Sequence, residues 1–516
     1  MPEVRRARDY VCVAVAAAGL WASFPGVDWW WLTAPSLAVL VAVVDRAPAG
    51  RAAWYGALVG AGFWLAHIEW VRVATGGWLP WVALAATQVI PMAAWAWTVS
   101  AARVWRWTRT PGGQALLFGV TWAGVEQLRA RVPFGGFPWA NIAYTQVDAP
   151  LGHLAPWGGE ALVSVLLMAS AVLLRRAFSL VPAHEAGHWW TRPAVLAAAI
   201  AILVAPLAVS VPTGQQNGAL RVGVVQGNVE EPGDQTYLTP GKVTGNNARV
   251  AHQLADSGAD LDLVVWGEDS VDKDPRGNAM TAELVRGAVD ALGVPTIVGW
   301  QEIHSQTREN WIGVWMPGSG LRPGFYGKQH PVPFGEYIPW RGFVSHLATE
   351  AAQVNVDMVG VDNPSRLDVP VADGSVVPMA MGICFEVAYE PLLSAGVREG
   401  GQLIVVPTNN YHFVDSAESD QQAQMLRFRA MEFSRSAIQA STNGTSVIVR
   451  PDGSVIAQSG KQVAASLVAE VPLRTTITPA ARLADFPDWV LIVVTVVLAL
   501  TSAGASLLAR RERRRP

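Results

Sequence analysis

Three side chains in the polar stretch of this sequence have the types that acyl chemistry needs. They are the thiol of Cys384 in Gly382-Ile383-Cys384-Phe385-Glu386, the carboxylate of Glu268 in Val265-Trp266-Gly267-Glu268, and the ammonium of Lys328 in Phe325-Tyr326-Gly327-Lys328. A free thiol has a pKa of about 8.5, so near neutrality it needs a base or a positive neighbour to attack a carbonyl. A carboxylate supplies the base, and a lysine steadies the negative charge that develops on the carbonyl oxygen. Taken singly, none of the three is informative. A lone cysteine is usually a small core side chain, and a glutamate and a lysine are usually surface ion-pair partners. Their positions change that reading, because Glu268 and Cys384 follow strand-like apolar runs and Lys328 lies in a Gly-bounded loop leading to Glu336. In α/β folds the carboxyl ends of strands form the ligand crevice, so residues far apart in sequence can meet there.

The elements that would position them are legible as alternating apolar runs and helical stretches. Residues 220–225, 261–265, 294–298, 311–315, 377–384, 403–406 and 445–449 read as strands, being short, rich in Val and Ile and bounded by Gly, Pro or Asn. Residues 243–256, 281–292 and 420–439 read as helices, and Pro451-Asp452-Gly453 marks a turn. The expected architecture of residues 218–480 is an α/β layered domain with buried sheets.

Composition places this domain beside a membrane. Of 516 residues 51% are hydrophobic, only 15% are charged and 24 are Trp. A soluble chain of this size would carry near a quarter charged residues. A spanning helix needs about 20 mostly apolar residues. Stretches 10–25, 29–44, 52–75, 78–105, 114–127, 161–174, 193–211 and 489–509 are the expected spans, eight in all. Seven of them fall in an N-terminal membrane domain, residues 1–217, and the eighth in residues 481–516. Arginines occupy alternate loops: Arg5, Arg6 and Arg8; Arg46 and Arg51; Arg103, Arg106 and Arg109; Arg175, Arg176 and Arg192; and the tail from Arg510 to Arg515. Cytoplasmic loops collect positive charge, so both termini are expected inside and residues 218–475 outside the cytoplasm.

Within the membrane half, Glu126 and Arg129 at i, i+3 spacing lead into Phe134-Gly135-Gly136-Phe137-Pro138-Trp139. They read either as an ion pair that lowers the cost of lying near lipid, beside an aromatic belt, or as substrate contacts. Cys12 and Cys384 lie in contexts of different depth, which argues against a disulfide. No CxxC pair or His/Cys cluster suggests a metal, no cofactor motif is present, and the polar domain has no basic stripe for nucleic acid. His330 reads as structural and His412 as solvent-facing.

Five motifs in order carry a resemblance. Val225-Gln226-Gly227-Asn228, Trp266-Gly267-Glu268, Tyr326-Gly327-Lys328 running to Val332-Pro333-Phe334-Gly335-Glu336-Tyr337, Gly382-Ile383-Cys384-Phe385-Glu386 and Ser441-Thr442-Asn443-Gly444 resemble the ordered motifs of the nitrilase superfamily. Together with the Gly-Phe-Pro-Trp motif and seven spans before and one after the polar domain, they resemble the apolipoprotein N-acyltransferase family over essentially the whole chain. The resemblance implies an αββα sandwich with Cys384 as nucleophile, Glu268 as general base and Lys328 as oxyanion stabiliser. Glu336 matches a second essential carboxylate, Glu386 the acid two positions after the cysteine, and Asn310 an active-site asparagine. Gly267, Phe385 and His412 stand where the family usually has Pro, Tyr and Trp. The resemblance further implies a phospholipid acyl donor and a diacylglyceryl apolipoprotein acceptor. The enzyme would be embedded in the bilayer of the bacterial cytoplasmic membrane, with its catalytic domain outside. A membrane-anchored amidase would use the same three residues with water as acceptor, and a transporter or scaffold with a degenerate outer domain would not need them intact.

Overall fold

The computed structural model describes residues 2–178, 191–230, 233–413 and 415–512. The expected basic residues Arg513, Arg514 and Arg515 lie outside them. Two compact units emerge, one made of Met1–Glu69, Trp78–Ser210 and Asp485–Pro516, the other of Trp70–Gly77 and Val211–Ala484.

The first unit is helical. In chain order come α1 (Pro2–Ala22), α2 (Thr33–Val44), α3 (Ala49–His67), α4 (Trp70–Thr75), α5 (Trp78–Ala101), α6 (Pro111–Arg129), α7 (Ala155–Ala177) and α8 (Thr191–Val204). The span expected over 52–75 is interrupted. Ile68 leaves helical geometry, α3 ends at His67, and α4 groups with the second unit, where Trp70 Nε1 donates to Gln421 Oε1 at 3.1 Å. The stretch carries two charged residues, Glu69 and Arg72, where a continuous apolar helix was expected. Among the described residues, three helical stretches have the length and apolarity to cross a bilayer: Trp78–Val104, Pro150–Ala177 and Phe486–Ser506. Trp30–Val44 and Arg192–Ala208 are apolar but shorter.

The second unit is a two-sheet sandwich. Its helices are α9 (Gly233–Leu238), α10 (Lys242–Asp256), α11 (Ala279–Leu292), α12 (Arg341–Leu347), α13 (Glu390–Arg398), α14 (Glu418–Phe433) and α15 (Pro479–Leu483); α16 (Phe486–Glu512) then returns to the first unit. The first seven strands are β1 (Ala219–Gln226), β2 (Leu263–Trp266), β3 (Thr296–Ile303), β4 (Thr307–Met316), β5 (Gly320–Leu321), β6 (Tyr326–Gly327) and β7 (Asp357–Met358). The rest are β8 (Arg366–Pro370), β9 (Val376–Met381), β10 (Leu403–Thr408), β11 (Ser436–Ser441), β12 (Val447–Val449), β13 (Val455–Gln458) and β14 (Ala465–Pro472). One sheet runs β14-β1-β2-β3-β4-β5 with β6 and β7 also paired to β4; the other runs β13-β12-β11-β10-β9-β8.

Leu220, Val222, Val224, Leu263 and Val265 of the first sheet pack against Met379, Met381, Leu403, Val405 and Ile438 of the second. The first sheet's other face, with Val264, Trp266, Val298 and Trp300, is covered by Ala248 and Leu254 of α10 and Val285 and Val289 of α11. On the second sheet, α13 packs on β9 and α14 on β11. The layers are therefore helix, sheet, sheet, helix. β1, β2 and β3 are parallel, as are β9, β10 and β11, so their carboxyl ends lie together at one edge of each sheet.

Two boundary differences lie close to the residues of interest. The helix expected over 420–439 ends at Phe433, because Ser434 adopts a left-handed backbone (φ +52°) and the chain then enters β11. The strand expected to carry Cys384 at its end stops at Met381, and Cys384 begins a 3-10 turn, Cys384–Ala388, with φ +54°.

Candidate active site

Glu268 is delivered by β2. At the end of that strand Gly267 runs so close to the second sheet that a Cβ would sit 2.9 Å from Thr442 N, 3.0 Å from Thr408 O and 3.1 Å from Ala440 O. Only glycine fits without a shift, and the approach brings Glu268 against the loop after β10, where the Asn409 N–H donates to Glu268 Oε2 at 2.9 Å. Lys328 is delivered by β6, whose antiparallel register sets Gly327 opposite Trp311. Lys328 N–H consequently donates to Asn310 O at 2.9 Å, and Asn310 Nδ2 donates to Glu268 Oε1 at 2.6 Å. Lys328 Nζ then reaches Glu268 Oε1 at 3.2 Å and Glu336 Oε1 at 2.5 Å. The Lys328 side chain is fully buried and that of Glu268 4% exposed, so this three-charge array lies in a low-dielectric site where each charge depends on its partners.

Glu386 explains how the Cys384 turn comes to the same place. Its buried carboxylate accepts from Ile383 N–H at 2.7 Å and Tyr326 O–H at 2.8 Å on Oε2, and from Gln329 N–H at 2.7 Å and His330 N–H at 2.9 Å on Oε1. One side chain thus fastens the turn that begins at Cys384 to the loop that carries Lys328. The His330 ring stacks on Tyr389 with centroids 4.6 Å apart, while His412 is exposed. The left-handed backbone at Cys384 is costly for a residue with a Cβ, and such strain persists where surrounding contacts impose it.

Burial pushes the half-buried Cys384 thiol well above its ordinary range; Glu268 adds to this and Lys328 opposes it. Burial likewise raises Glu268 to about 7, against the pull of Lys328. For Lys328 burial acts the other way, but Glu268 and Glu336 outweigh it, and the ammonium is held well above its usual value. The resting site therefore contains a protonated thiol, a base poised near neutrality and a permanent cation. That is an arrangement for proton transfer during attack rather than for a standing thiolate.

Sequence reasoning missed several residues here. Asp269 has its Oδ2 held by Gln301 Nε2 at 2.8 Å and by Asn409 Nδ2 at 3.3 Å, and Asn409 Nδ2 also meets Tyr237 Oη at 2.9 Å. Glu418 at the start of α14 is 3% exposed and acts electrostatically on Cys384. An acid in the first turn of a helix is so ordinary that nothing singles it out.

The membrane-unit candidates each make local contacts. Among the described residues Glu126 and Arg129 form no ion pair. Arg129 donates to Phe137 O at 2.8 Å and Trp139 O at 2.7 Å and lies over the Trp64 ring, while Glu126 Oε1 accepts from Ile142 N–H at 2.9 Å. They hold the Phe134–Tyr144 segment by its backbone, and Trp139 is buried there. The residues with metal-like spacing among those described are Glu302, His304 and Glu309 on the β3–β4 hairpin, where Glu302 is engaged by Arg276 and Glu309 by Trp311.

Both regions of the chain match known families. Residues 16–173 match the family described as Apolipoprotein N-acyltransferase N-terminal domain, and residues 251–479 match Carbon-nitrogen hydrolase. Among curated relatives, the Apolipoprotein N-acyltransferase of Mycolicibacterium smegmatis is 31% identical over 95% of this chain and 85% of its own length. That of Pseudomonas putida is 30% identical over 98% of this chain and 97% of its own, and that of Ralstonia nicotianae 30% over 93% and 91%. Among solved structures, the amidase from Nesterenkonia sp. AN1 aligns with a TM-score of 0.38 at 17% identity, over 50% of this chain and 92% of that one. Identity of this extent across both regions, with the nitrilase-like sandwich between apolar helices, makes the chain a member of the apolipoprotein N-acyltransferase family.

Proposed function

We propose that Cys384, Glu268 and Lys328 carry out a two-step acyl transfer at the outer face of the bacterial cytoplasmic membrane. As the Cys384 sulfur attacks an ester carbonyl of a phospholipid, its proton passes to Glu268. Lys328 and the N–H groups of the Cys384 turn receive the charge on the carbonyl oxygen. The C–O bond breaks, the departing lysophospholipid oxygen takes the proton from Glu268, and an acyl thioester remains on Cys384. The α-amino group of an S-diacylglyceryl-cysteine at a lipoprotein N-terminus then attacks the thioester; the C–N bond forms, the C–S bond breaks and the thiol is restored. Glu336 pairs with Lys328 and keeps its charge, Asn310 orients Glu268, and Glu386 positions rather than reacts.

The observation that carries this reading is the meeting of Glu268, Lys328 and Glu336 within hydrogen-bond distance beside the Cys384 turn. In this reading residues 1–217 form a seven-helix membrane domain, 218–480 the catalytic domain and 481–516 the eighth span with a basic cytoplasmic tail, an arrangement supported by the alternation of arginine-rich loops. Anchoring on both flanks suits lipid substrates, since it converts a three-dimensional search into a lateral one. Trp139, with Glu126 and Arg129, shapes the membrane domain from within. The amidase alternative would leave the N-terminal family match without a purpose. The test uses purified protein, a phospholipid labelled in its acyl chain and a synthetic S-diacylglyceryl-cysteine peptide. The expected result is label trapped on the protein, then an added acyl mass on the peptide, both absent in Cys384→Ala; label released as free fatty acid with no modified peptide would refute transfer.

A further inference from the structure

The carboxylates that act on the Cys384 thiol are Glu268, Glu418 and Glu336. In two of them both oxygens already accept from the protein. Glu268 Oε1 accepts from Asn310 and Lys328 and its Oε2 from Asn409 N–H; Glu336 Oε1 accepts from Lys328 and its Oε2 from Val332 N–H. Glu418 differs. Its Oε2 accepts from Asn410 Nδ2 at 2.8 Å, and among the described residues its Oε1 accepts no hydrogen bond. An oxygen that takes no donor from these residues can accept one from a substrate.

Its placement is built rather than incidental. Ser441 Oγ donates to Asn410 Oδ1 at 2.6 Å, which fixes the amide so that Nδ2 faces Glu418 and Gln422. Adjacent residues after β10 thereby serve two acids, Asn409 through its backbone holding Glu268 and Asn410 through its side chain holding Glu418. The helix that Glu418 opens is bolted to the nucleophile's turn, since Arg429 Nε and Nη2 donate to Val387 O at 3.1 Å and Ala388 O at 2.9 Å.

We propose that Glu418 is a catalytic residue of the second half-reaction, its free Oε1 receiving the ammonium of the incoming amine and taking one of its protons. This rests on the acyl-transfer reading above. The ammonium loses a proton to the Glu418 carboxylate and becomes the attacking amine. As the C–N bond forms, the amine's second proton passes to Glu268 and then to the departing Cys384 sulfur, and Glu418 returns its proton to water. Burial raises Glu418 to about 8; the Asn410 hydrogen bond and Lys461 oppose this, and Asp420 and Glu268 add to it. That coincides with the range of an α-amino group, about 7.7–8.0, so the transfer is nearly balanced.

An ammonium is also offered by an ethanolamine phospholipid headgroup, and the experiment separates the two sources. The full-length protein in lipid nanodiscs is given labelled phosphatidylethanolamine or phosphatidylglycerol, and thioester formation is timed apart from transfer to a synthetic S-diacylglyceryl-cysteine peptide. Glu418→Gln is expected to slow transfer about 100-fold more than it slows thioester formation with either donor, the lower end of what a positioned acid or base supplies. Glu418→Asp is expected to recover part of the loss, and the limb near pH 8 in the transfer profile is expected to vanish in Glu418→Gln. Slowed thioester formation with phosphatidylethanolamine alone would assign the carboxylate to the donor headgroup and overturn the proposal. Equal slowing of both half-reactions, or of neither, would overturn it too. Absence of a thioester in the unsubstituted protein would instead defeat the reading of the overall reaction.

Discussion

At the level of single residues the site combines a thiol that keeps its proton with a base that does not hold one strongly. Glu268 stands near 7 because burial disfavours its charge and Lys328 only partly restores it. The base is active when ionised, so thioester formation should rise with pH through about 7 and level off above it, as an apparent value of the coupled pair. Glu268→Gln should abolish that rise and lower the rate by about 100-fold or more, as single-turnover measurements across pH would reveal. Glu386 makes a different prediction. Its removal strands the N–H groups of Ile383, Gln329 and His330 and the Tyr326 hydroxyl. Glu386→Ala should cost about 3 kcal/mol, read as a lower unfolding midpoint in detergent, together with loss of acylation. Glu268 and Cys384 stood out in the sequence because each follows a short apolar run, and Lys328 because it lies in a Gly-bounded loop. Glu418 did not, since its significance lies in an unfilled oxygen that only the packed loop after β10 exposes.

Among elements, strand legibility followed composition. β1, β4 and β10 are dense in Val, Ile, Leu or Trp and were expected within a few residues, whereas β5, β6 and β7 are two-residue strands that no periodicity can announce. β11, Ser-Ala-Ile-Gln-Ala-Ser, has a single β-branched apolar residue and follows a helical run, so it read as helix; its pairing with β10 on one side and β12 on the other decided otherwise. The turn at Cys384 was hidden for a related reason: nothing in Gly-Ile-Cys-Phe-Glu announces a left-handed cysteine, which is imposed by Glu386 and Arg429. Where β2 ends, Gly267 has backbone of the opposite sheet in the place of a side chain. Gly267→Ala should cost about 2 kcal/mol of stability by overpacking and should lower acyl transfer more than tenfold by moving Glu268; a transfer rate within twofold of the unsubstituted protein would count against this placement.

For the molecule as a whole, most helices in the first unit were readable from apolar runs, but the end of the third was not, since α3 stops at His67 and the next turn belongs with the polar unit. Within that unit the helices approach closely: a Cβ on Gly124 would lie 2.5 Å from Leu491 O, and Arg131 pairs with Asp488 at 2.8 Å, so α16 is held on α6 by backbone contact and charge together. The sidedness argued from arginine loops is open to labelling. In a protein lacking Cys12 and Cys384, a membrane-impermeant maleimide should modify Asp260→Cys in intact spheroplasts and should reach Arg106→Cys only after permeabilisation.

The raised thiol has a consequence for chemical probes. Haloacetamide alkylators respond to the fraction of free thiolate, which burial and the surrounding carboxylates keep small, so this enzyme should be sluggish toward them despite a competent nucleophile. Activated esters and other carbonyl electrophiles, which recruit Glu268 and Lys328 as they react, should label it far faster. A screen for covalent inhibitors built on warheads of the first kind would pass over the very sulfur it was meant to find.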